Sequence, residues 1–303
     1  MNELQLSSAN RSAIGRRLAL GTVQFGLPYG VANSQGQVSL AIAKDMVGFI
    51  RDFGLDTIDT AIGYGESEQA LGKIGVGDFN VVSKLLPIPA TVNDADAWVQ
   101  SETEASLDRL KIDSLCGLLL HRSSDLSGPQ GSELYEAMRK LRDNGKVKKI
   151  GISIYSPVEL DTFSGKFDFD LIQAPFNLID RRLNTSGWLK RLKDQGCEVH
   201  VRSTFLQGLL LMPRSTIPVK FGKWGKLWDQ WSHWLQQNGE DAVHACLAYP
   251  LSFPEVDRVV VGANDLEQLR HIASAASREP RLQFPNLVCD DEALINPAKW
   301  SSL

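Results

Sequence analysis

The strongest constraint on the fold is an alternation that runs almost the whole length of the chain. Eight short segments rich in β-branched and aliphatic residues are each followed by a longer stretch of mostly helical character. The eight are RLALGT (17–22), LDTIDT (55–60), FNVVSKL (79–85), SLCGLLLH (114–121), VKKIGIS (147–153), FDLIQA (169–174), EVHVRS (198–203) and DRVVVGA (257–263). Between them, LAIAKDMVGFIRDFG (40–54), DADAWVQSETEASLDRLK (94–111) and ELYEAMRKLRDNGK (133–146) repeat apolar residues at helical spacing. The last two close on basic residues, as helix C-termini favour. Strands separated by helices pair in parallel through right-handed crossovers. Eight such units in 303 residues predict an α/β fold of one domain, a closed (β/α)8 TIM barrel, rather than an open doubly wound sheet.

The expected barrel covers residues 17–279, after an N-terminal tail (1–16). It is followed by a C-terminal tail (280–303) whose three prolines predict a loop wrapping the surface. The alternation breaks after the seventh strand, where residues 205–251 are too many for one crossover helix and predict a long loop and two helices. Trp224, Trp228, Trp231 and Trp234 recur there on one helical face, and packing against the barrel is the expected role.

Bulk properties narrow the function. Hydrophobic residues at 43% and charged residues at 22% exclude a disordered chain. A net charge of −4 provides no general attraction for nucleic acid or an anionic membrane, so small molecules are the expected partners. Cys116, Cys197, Cys246 and Cys289 form no CxxC pair and no zinc-ligand spacing, which predicts reduced thiols. The opening MNELQLSSANRSAIGRR has no apolar stretch of signal-peptide length, and no segment approaches a membrane span. A cytoplasmic location is therefore expected.

Parallel barrels carry their chemistry at the C-terminal ends of the strands. Asp59 ends the second strand, Tyr64 follows in its loop, Lys84 ends the third and His121 the fourth. Four ionisable groups from three adjacent strands should meet at one rim. A phenol ionises too high for easy proton transfer at neutrality. A neighbouring ammonium lowers that value, and a carboxylate holds the ammonium in place. A histidine can orient a carbonyl oxygen or share the proton. The set suits carbonyl reduction, with Tyr64 as acid. A Schiff base on Lys84 is the competing chemistry, disfavoured by the carboxylate that would pair with it. No nucleophile elbow and no HxH or HExxH metal signature is present, and no metal is expected.

No Rossmann fingerprint follows a strand, since GKIGVG (72–77) precedes one. The chain nevertheless resembles the aldo-keto reductase family, whose members are (β/α)8 barrels using NAD(P)H. The matching pieces are LALGTVQFG, IDTAIGYGESEQALG, VVSKL, LLLHRS, KKIGIS, IQAPFNLID, VHVRSTFLQGLL and VVVGANDLEQL, in family order from about residue 17 to 275. The resemblance implies Tyr64 as proton donor, tuned by Lys84 and Asp59, with His121 positioning the substrate. It implies nicotinamide contacts at Ser153, Gln173 and Asn177, and close backbone approach at Gly21 and Thr22. Ser203, Leu206, Gln207, Gly208 and Leu209 would cover the pyrophosphate. Gly262, Ala263, Asn264, Glu267 and Gln268 would surround the adenosine end.

Two positions depart from the family pattern. Arg202 stands where many relatives place an aromatic ring under the nicotinamide, and a planar guanidinium can stack there instead. Gln268 stands where NADP-preferring relatives carry a basic residue, with Asp265 and Glu267 beside it. The expected cofactor is NADP, with NAD as the alternative. Phe25, Tyr29 and Ile62 suggest an aromatic and apolar substrate pocket for an aldehyde, ketone or alcohol, and the bacterial style of the motifs hints at sugar-derived carbonyls. The rival from another class is a cofactor-binding regulatory protein of the same fold, which the complete tetrad disfavours.

Overall fold

The computed structural model describes residues 13–279 and 283–303. Most of the expected N-terminal tail and the junction with the C-terminal tail, residues 280–282, lie outside the described residues.

Eight parallel strands close on themselves in sequence order. They are β1 (Leu18–Gly21), β2 (Thr57–Asp59), β3 (Asn80–Leu85), β4 (Leu115–Leu120), β5 (Val147–Ser153), β6 (Leu171–Pro175), β7 (Glu198–Arg202) and β8 (Arg258–Val261). Closure is made by β1 against β8, with Leu18 opposite Val259 and Leu20 opposite Val261. The outer helices are α1 (Leu40–Phe53), α2 (Ser67–Ile74), α3 (Ala95–Leu110), α4 (Gly131–Asp143), α5 (Val158–Phe163), α6 (Trp188–Asp194), α7 (Gly225–Asn238), α8 (Ala242–Leu251) and α9 (Leu266–Ala276). Side-chain caps start several of them: Ser39 for α1, Asp94 for α3, Asp241 for α8 and Asp265 for α9. Among the described residues no helix is long and apolar enough to cross a membrane.

The main core lies between the sheet and the helices, while Val82, Leu119 and Leu171 form a separate cluster of their own. Side chains alternate along a strand, so Val82 and Lys84 share a face of β3. Asp59 pairs with Val82. The register therefore puts the Lys84 side chain just beyond that of Asp59, toward the C-terminal mouth.

The segment after β7 holds three short 3-10 turns before α7 and α8. Trp224, Trp228 and Trp231 are buried, in keeping with the packing role. The Trp228 indole donates to Phe221 O at 3.0 Å and that of Trp231 to Leu210 O at 2.9 Å. The stripe thus ties α7 to the loop after β7. The tail differs from a plain loop. It forms a helical turn at Glu292–Ile295 and a 3-10 turn at Pro297–Ser302. Leu294, Ile295 and Trp300 bury themselves, and that burial anchors the segment where the prolines suggested a loop wrapping the surface.

All four cysteines are free, with Cys197 and Cys246 buried and Cys116 and Cys289 partly exposed. Burial pushes the Cys197 thiol up to about 12, so it is inert as a thiolate.

Candidate active site

Four polar residues of IDTAIGYGESEQALG, Asp59, Tyr64, Ser67 and Glu68, have an assignable job. Asp59 is 3% exposed. Its Oδ1 accepts from Lys84 Nζ at 2.6 Å and its Oδ2 from Gln173 Nε2 at 2.6 Å. Lys84 is 1% exposed and donates a second bond to Thr60 O at 2.9 Å. Burial lowers the Lys84 pKa, and the Arg202 cation adds to that, while the Asp59 carboxylate opposes the shift. The ion pair is therefore a buried, nearly neutral unit beneath the rim.

Above it sits Tyr64. Lys84 Nζ lies 5.1 Å from the centre of its ring. His121 meets the ring edge-on, with centroids 5.8 Å apart. The loop carrying Tyr64 is pinned from below. Thr22 N and Oγ1 both donate to Asp59 O at 3.0 Å, and Ser67 Oγ donates to Thr22 O at 2.9 Å. Gly26 packs against the same loop so closely that a Cβ there would lie 1.8 Å from Tyr64 O. Only glycine permits that approach. Glu68 turns away from the chemistry: its buried carboxylate accepts from Ser83 and Ser106 Oγ at 2.7 and 2.6 Å and pairs with Arg109 at 2.8 Å. It clamps α2 to β3 and α3.

The Tyr64 phenol is held well above its ordinary value, first by burial and then by Asp59, and Arg202 pulls it down. Burial, reinforced by the charges of Lys84 and Arg202, pushes His121 down to about 4, so the imidazole is neutral at physiological pH.

These groups open onto a cleft of about 720 Å³ lined by Asp59, Tyr64, His121 and Gln173. Of the other residues implied for a cofactor, Gly21, Thr22, Arg202, Ser203, Gln207, Gly208, Gly262, Asn264 and Gln268 line it too. Ser153, Leu206, Leu209 and Ala263 are buried outside the lining. Ser153 stands beside Gln173 in the strand register, and the three aliphatic side chains join the core. Glu267 is exposed and off the cleft. Asn177 is also committed elsewhere: its Oδ1 accepts from Ile179 N and Asp180 N, and its Nδ2 donates to Ser203 O at 3.0 Å. For the substrate pocket, Tyr29 lines the cleft, whereas Phe25 belongs to the core and Ile62 packs against it. The short helical turn Val23–Gly26 directs Phe25 inward.

Sequence reasoning missed Gln24, Tyr155 and Thr204, all of which line the cleft. Gln24 and Thr204 lie within the pieces LALGTVQFG and VHVRSTFLQGLL, where nothing in the pattern singles them out, and Tyr155 lies just beyond KKIGIS. The loop after β7 does carry a structural one. Ser203, Leu206 and Gln207 all have left-handed backbone angles, with φ of 61°, 47° and 54°, a conformation non-glycine residues adopt only at some cost. Gly208 follows at φ 88°, and a Cβ there would lie 2.8 Å from Ala32 Cβ. Val31 N also donates to Gln207 O at 3.1 Å. The loops after β1 and β7 thereby meet across the cleft.

Four buried polar atoms at the cleft have no partner: Gln24 Oε1, Gln173 Oε1, Thr204 Oγ1 and Asn264 Oδ1. Buried acceptors left unpaired are costly. Their spread from the tetrad to the start of α9 would let an elongated polar ligand pair with all four. Gln173 is oriented by Asp59, which leaves its Oε1 to accept from an amide N–H. This donor and acceptor set fits a nicotinamide dinucleotide.

Comparison with known proteins agrees with that chemistry. The model of the aldo/keto reductase family matches residues 17–282. The chain is 30% identical over 171 residues to an aldo-keto reductase of Bacillus subtilis (strain 168), covering 52% of this chain and 50% of that one. It is 27% identical over 224 residues to the NADH-specific methylglyoxal reductase of Escherichia coli (strain K12), covering 64% and 65%. The chain thus spans between half and about two thirds of the length of these curated relatives. The holo form of an aldo-keto reductase from Bacillus halodurans superposes with a TM-score of 0.72 at 19% identity, over 91% of this chain and 94% of that one, a likeness of fold. With a family match running from the first strand of the barrel to beyond α9, the chain belongs to the aldo/keto reductase family, a family of carbonyl-reducing oxidoreductases.

Proposed function

We propose that this protein interconverts an aldehyde or ketone with its alcohol using a nicotinamide cofactor, with Tyr64 as the general acid and base. The observation that carries the reading is the meeting of Tyr64, His121 and the Lys84–Asp59 pair at one end of a cleft whose buried acceptors await a partner. The chemistry that a reduced nicotinamide supplies there when bound is a hydride for the carbonyl carbon. Tyr64 Oη gives its proton to the carbonyl oxygen, so that one hydride and one proton complete the alcohol. Burial keeps the phenol protonated until that moment, and the cation of Arg202 eases the loss of the proton. The neutral His121 imidazole directs the carbonyl oxygen toward Tyr64 without competing as an acid. Gln173 Oε1 would orient the carboxamide. The strained loop after β7 would cover the pyrophosphate, with Gln24 and Asn264 further along.

The adenosine end favours NAD over the NADP expected from the motifs. Val243, Asn264, Gln268, His271 and Ile272 line that end. Arg270 directs its guanidinium over the Phe49 ring, 5.8 Å from its centre. His271 Nε2 is taken by Asp241 Oδ2 at 2.9 Å. Among the described residues no guanidinium lines that end to receive a 2′-phosphate.

A second cleft, of about 510 Å³, shares His121 and Tyr155 with the first and is lined by Arg122, Ser123, Ser124 and Ser127. Ser123 donates to Glu159 and the Arg122 guanidinium pairs with Asp125, which leaves the hydroxyls of Ser124 and Ser127 to meet the polar tail of a hydroxylated, sugar-derived carbonyl compound.

The test is cofactor oxidation, followed by loss of nicotinamide absorbance, against a panel of aliphatic, aromatic and hydroxylated carbonyls with NADH and NADPH in parallel. Turnover with NADH, best on hydroxylated members, is the expected result. Tight cofactor binding without turnover on any member would favour the regulatory alternative instead.

A further inference from the structure

Arg202 is the cation of the cleft for which the structure provides no counter-charge. Nη2 donates to Ile154 O at 2.9 Å and Nη1 to Ser203 Oγ at 3.3 Å. One face of the guanidinium covers the Tyr155 ring, with Cζ 4.7 Å from its centre. Among the described residues, no carboxylate is recorded within ion-pair distance of it, in contrast to Lys84, whose Asp59 partner lies at 2.6 Å. Its edge is tied to neutral oxygens and one face to an aromatic ring. Arg202 also lines the cleft, together with Tyr64, His121 and Gln173.

We propose that Arg202 is a charged stacking platform that makes the site prefer the reduced, neutral nicotinamide over the oxidised, cationic one. The inference rests on the nicotinamide reading above and extends it to the redox state of the cofactor. A flat guanidinium stacks on a planar ring as an aromatic side chain does, so its shape supplies the bed. Its charge does what no aromatic ring can. A reduced nicotinamide ring carries no formal charge and feels only the stacking. An oxidised ring is a cation and is repelled at stacking distance, where two unit charges interact appreciably even in a water-like medium. Tyr155 behind the guanidinium spreads but does not cancel that charge. The same cation acts on Tyr64 and His121, lowering both, which is consistent with a positive field at the ring site. The consequence is a protein that holds reduced cofactor ready and releases the oxidised form after turnover.

The test measures equilibrium dissociation constants for NADH and NAD⁺ by calorimetry, with no substrate present, for the wild type, Arg202→Met, Arg202→Tyr and Arg202→Lys. The ratio of oxidised to reduced dissociation constants should fall about tenfold in the Met and Tyr variants, in line with the Coulomb scale for charges at stacking distance. It should stay near the wild-type ratio in the Lys variant. The Tyr variant should also hold NADH about as tightly as wild type, because the stack is restored. If Arg202→Met fails to fold, as judged by circular dichroism, Arg202→Gln removes the charge while keeping a donor for Ile154 O. An unchanged ratio in the uncharged variants overturns the proposal while leaving the nicotinamide reading intact. A wild-type protein that binds neither form overturns both.

Discussion

Replacing Asp59 with Asn isolates what the buried pair does. Asp59 and Lys84 have side-chain exposures of 4% and 1%, so neither charge can recover its lost hydration. The amide introduced by Asp59→Asn would keep one acceptor for either Lys84 or Gln173 and turn a donor toward the other, because both present partners of the carboxylate donate. An ammonium would be stranded in the barrel with only Thr60 O as a strong partner. Breaking a buried pair from one side costs about 3–5 kcal/mol, and the retained Thr60 bond places this case near the lower end. That is a large share of the ~5–15 kcal/mol of a typical domain. The sign of the pH dependence follows from Lys84, whose folded pKa already lies below 10.5. Without Asp59 it falls further, and the unfolded chain takes up a proton that the folded chain refuses. The stability of the variant should therefore be greatest above the ordinary lysine range and decline as pH drops, more steeply than in wild type. Urea unfolding at about pH 7 and about pH 9 measures both quantities. The double variant Asp59→Asn/Lys84→Met should regain most of the lost stability, since it removes the stranded charge, yet remain almost inactive. A single variant within ~1 kcal/mol of wild type with an unchanged pH slope, or a double variant no more stable than the single, would refute the account.

Tyr64→Phe should lower turnover by roughly 10²-fold or more while leaving NADH affinity unchanged, as loss of a general acid requires; steady-state kinetics beside calorimetry measures the split. With His121 neutral down to about 4, kcat/KM should show no His121 limb between about pH 5 and 8; a limb in that range that disappears in His121→Asn would contradict the burial argument. The same depressed pKa means that the unfolded chain binds a proton near the ordinary 6.5 of histidine and the folded chain does not. Folding stability should accordingly fall as pH drops from that value toward about 4. Glu68→Ala strands Arg109 and two buried hydroxyls and should cost about 3 kcal/mol in thermal or urea unfolding. Gly208→Ala should weaken NADH binding by forcing the loops after β1 and β7 apart, where a Cβ would stand 2.8 Å from Ala32 Cβ; wild-type affinity in that variant would show that the loop contact is not needed.

The barrel and its tetrad are written in local signals. Period-two runs and helical spacing identify strands and helices wherever they fall, and eight alternations leave one closed parallel arrangement. The strand segment 147–153 matches residue for residue, and 55–60 contains the observed Thr57–Asp59. Once the strands are assigned, the barrel itself brings Asp59, Tyr64, Lys84 and His121 together. The direction of loop side chains is a different matter. Whether Leu206 or Gln207 faces the cleft depends on left-handed backbone angles imposed by packing. Arg270 sets its guanidinium over the ring of Phe49, far earlier in the chain. Glu68, in the middle of IDTAIGYGESEQALG, is claimed by Arg109, 41 residues further on. Arg202 is drawn onto Tyr155 and Ile154 O, 48 residues back. Periodicity reports only on neighbours within a few turns or pleats, so contacts made across such separations leave no trace in it. The elements and the reactive groups at their ends were therefore determined by the sequence alone. The lining of the cleft and the charge balance around Tyr64 were decided only when the eight loops closed over the barrel.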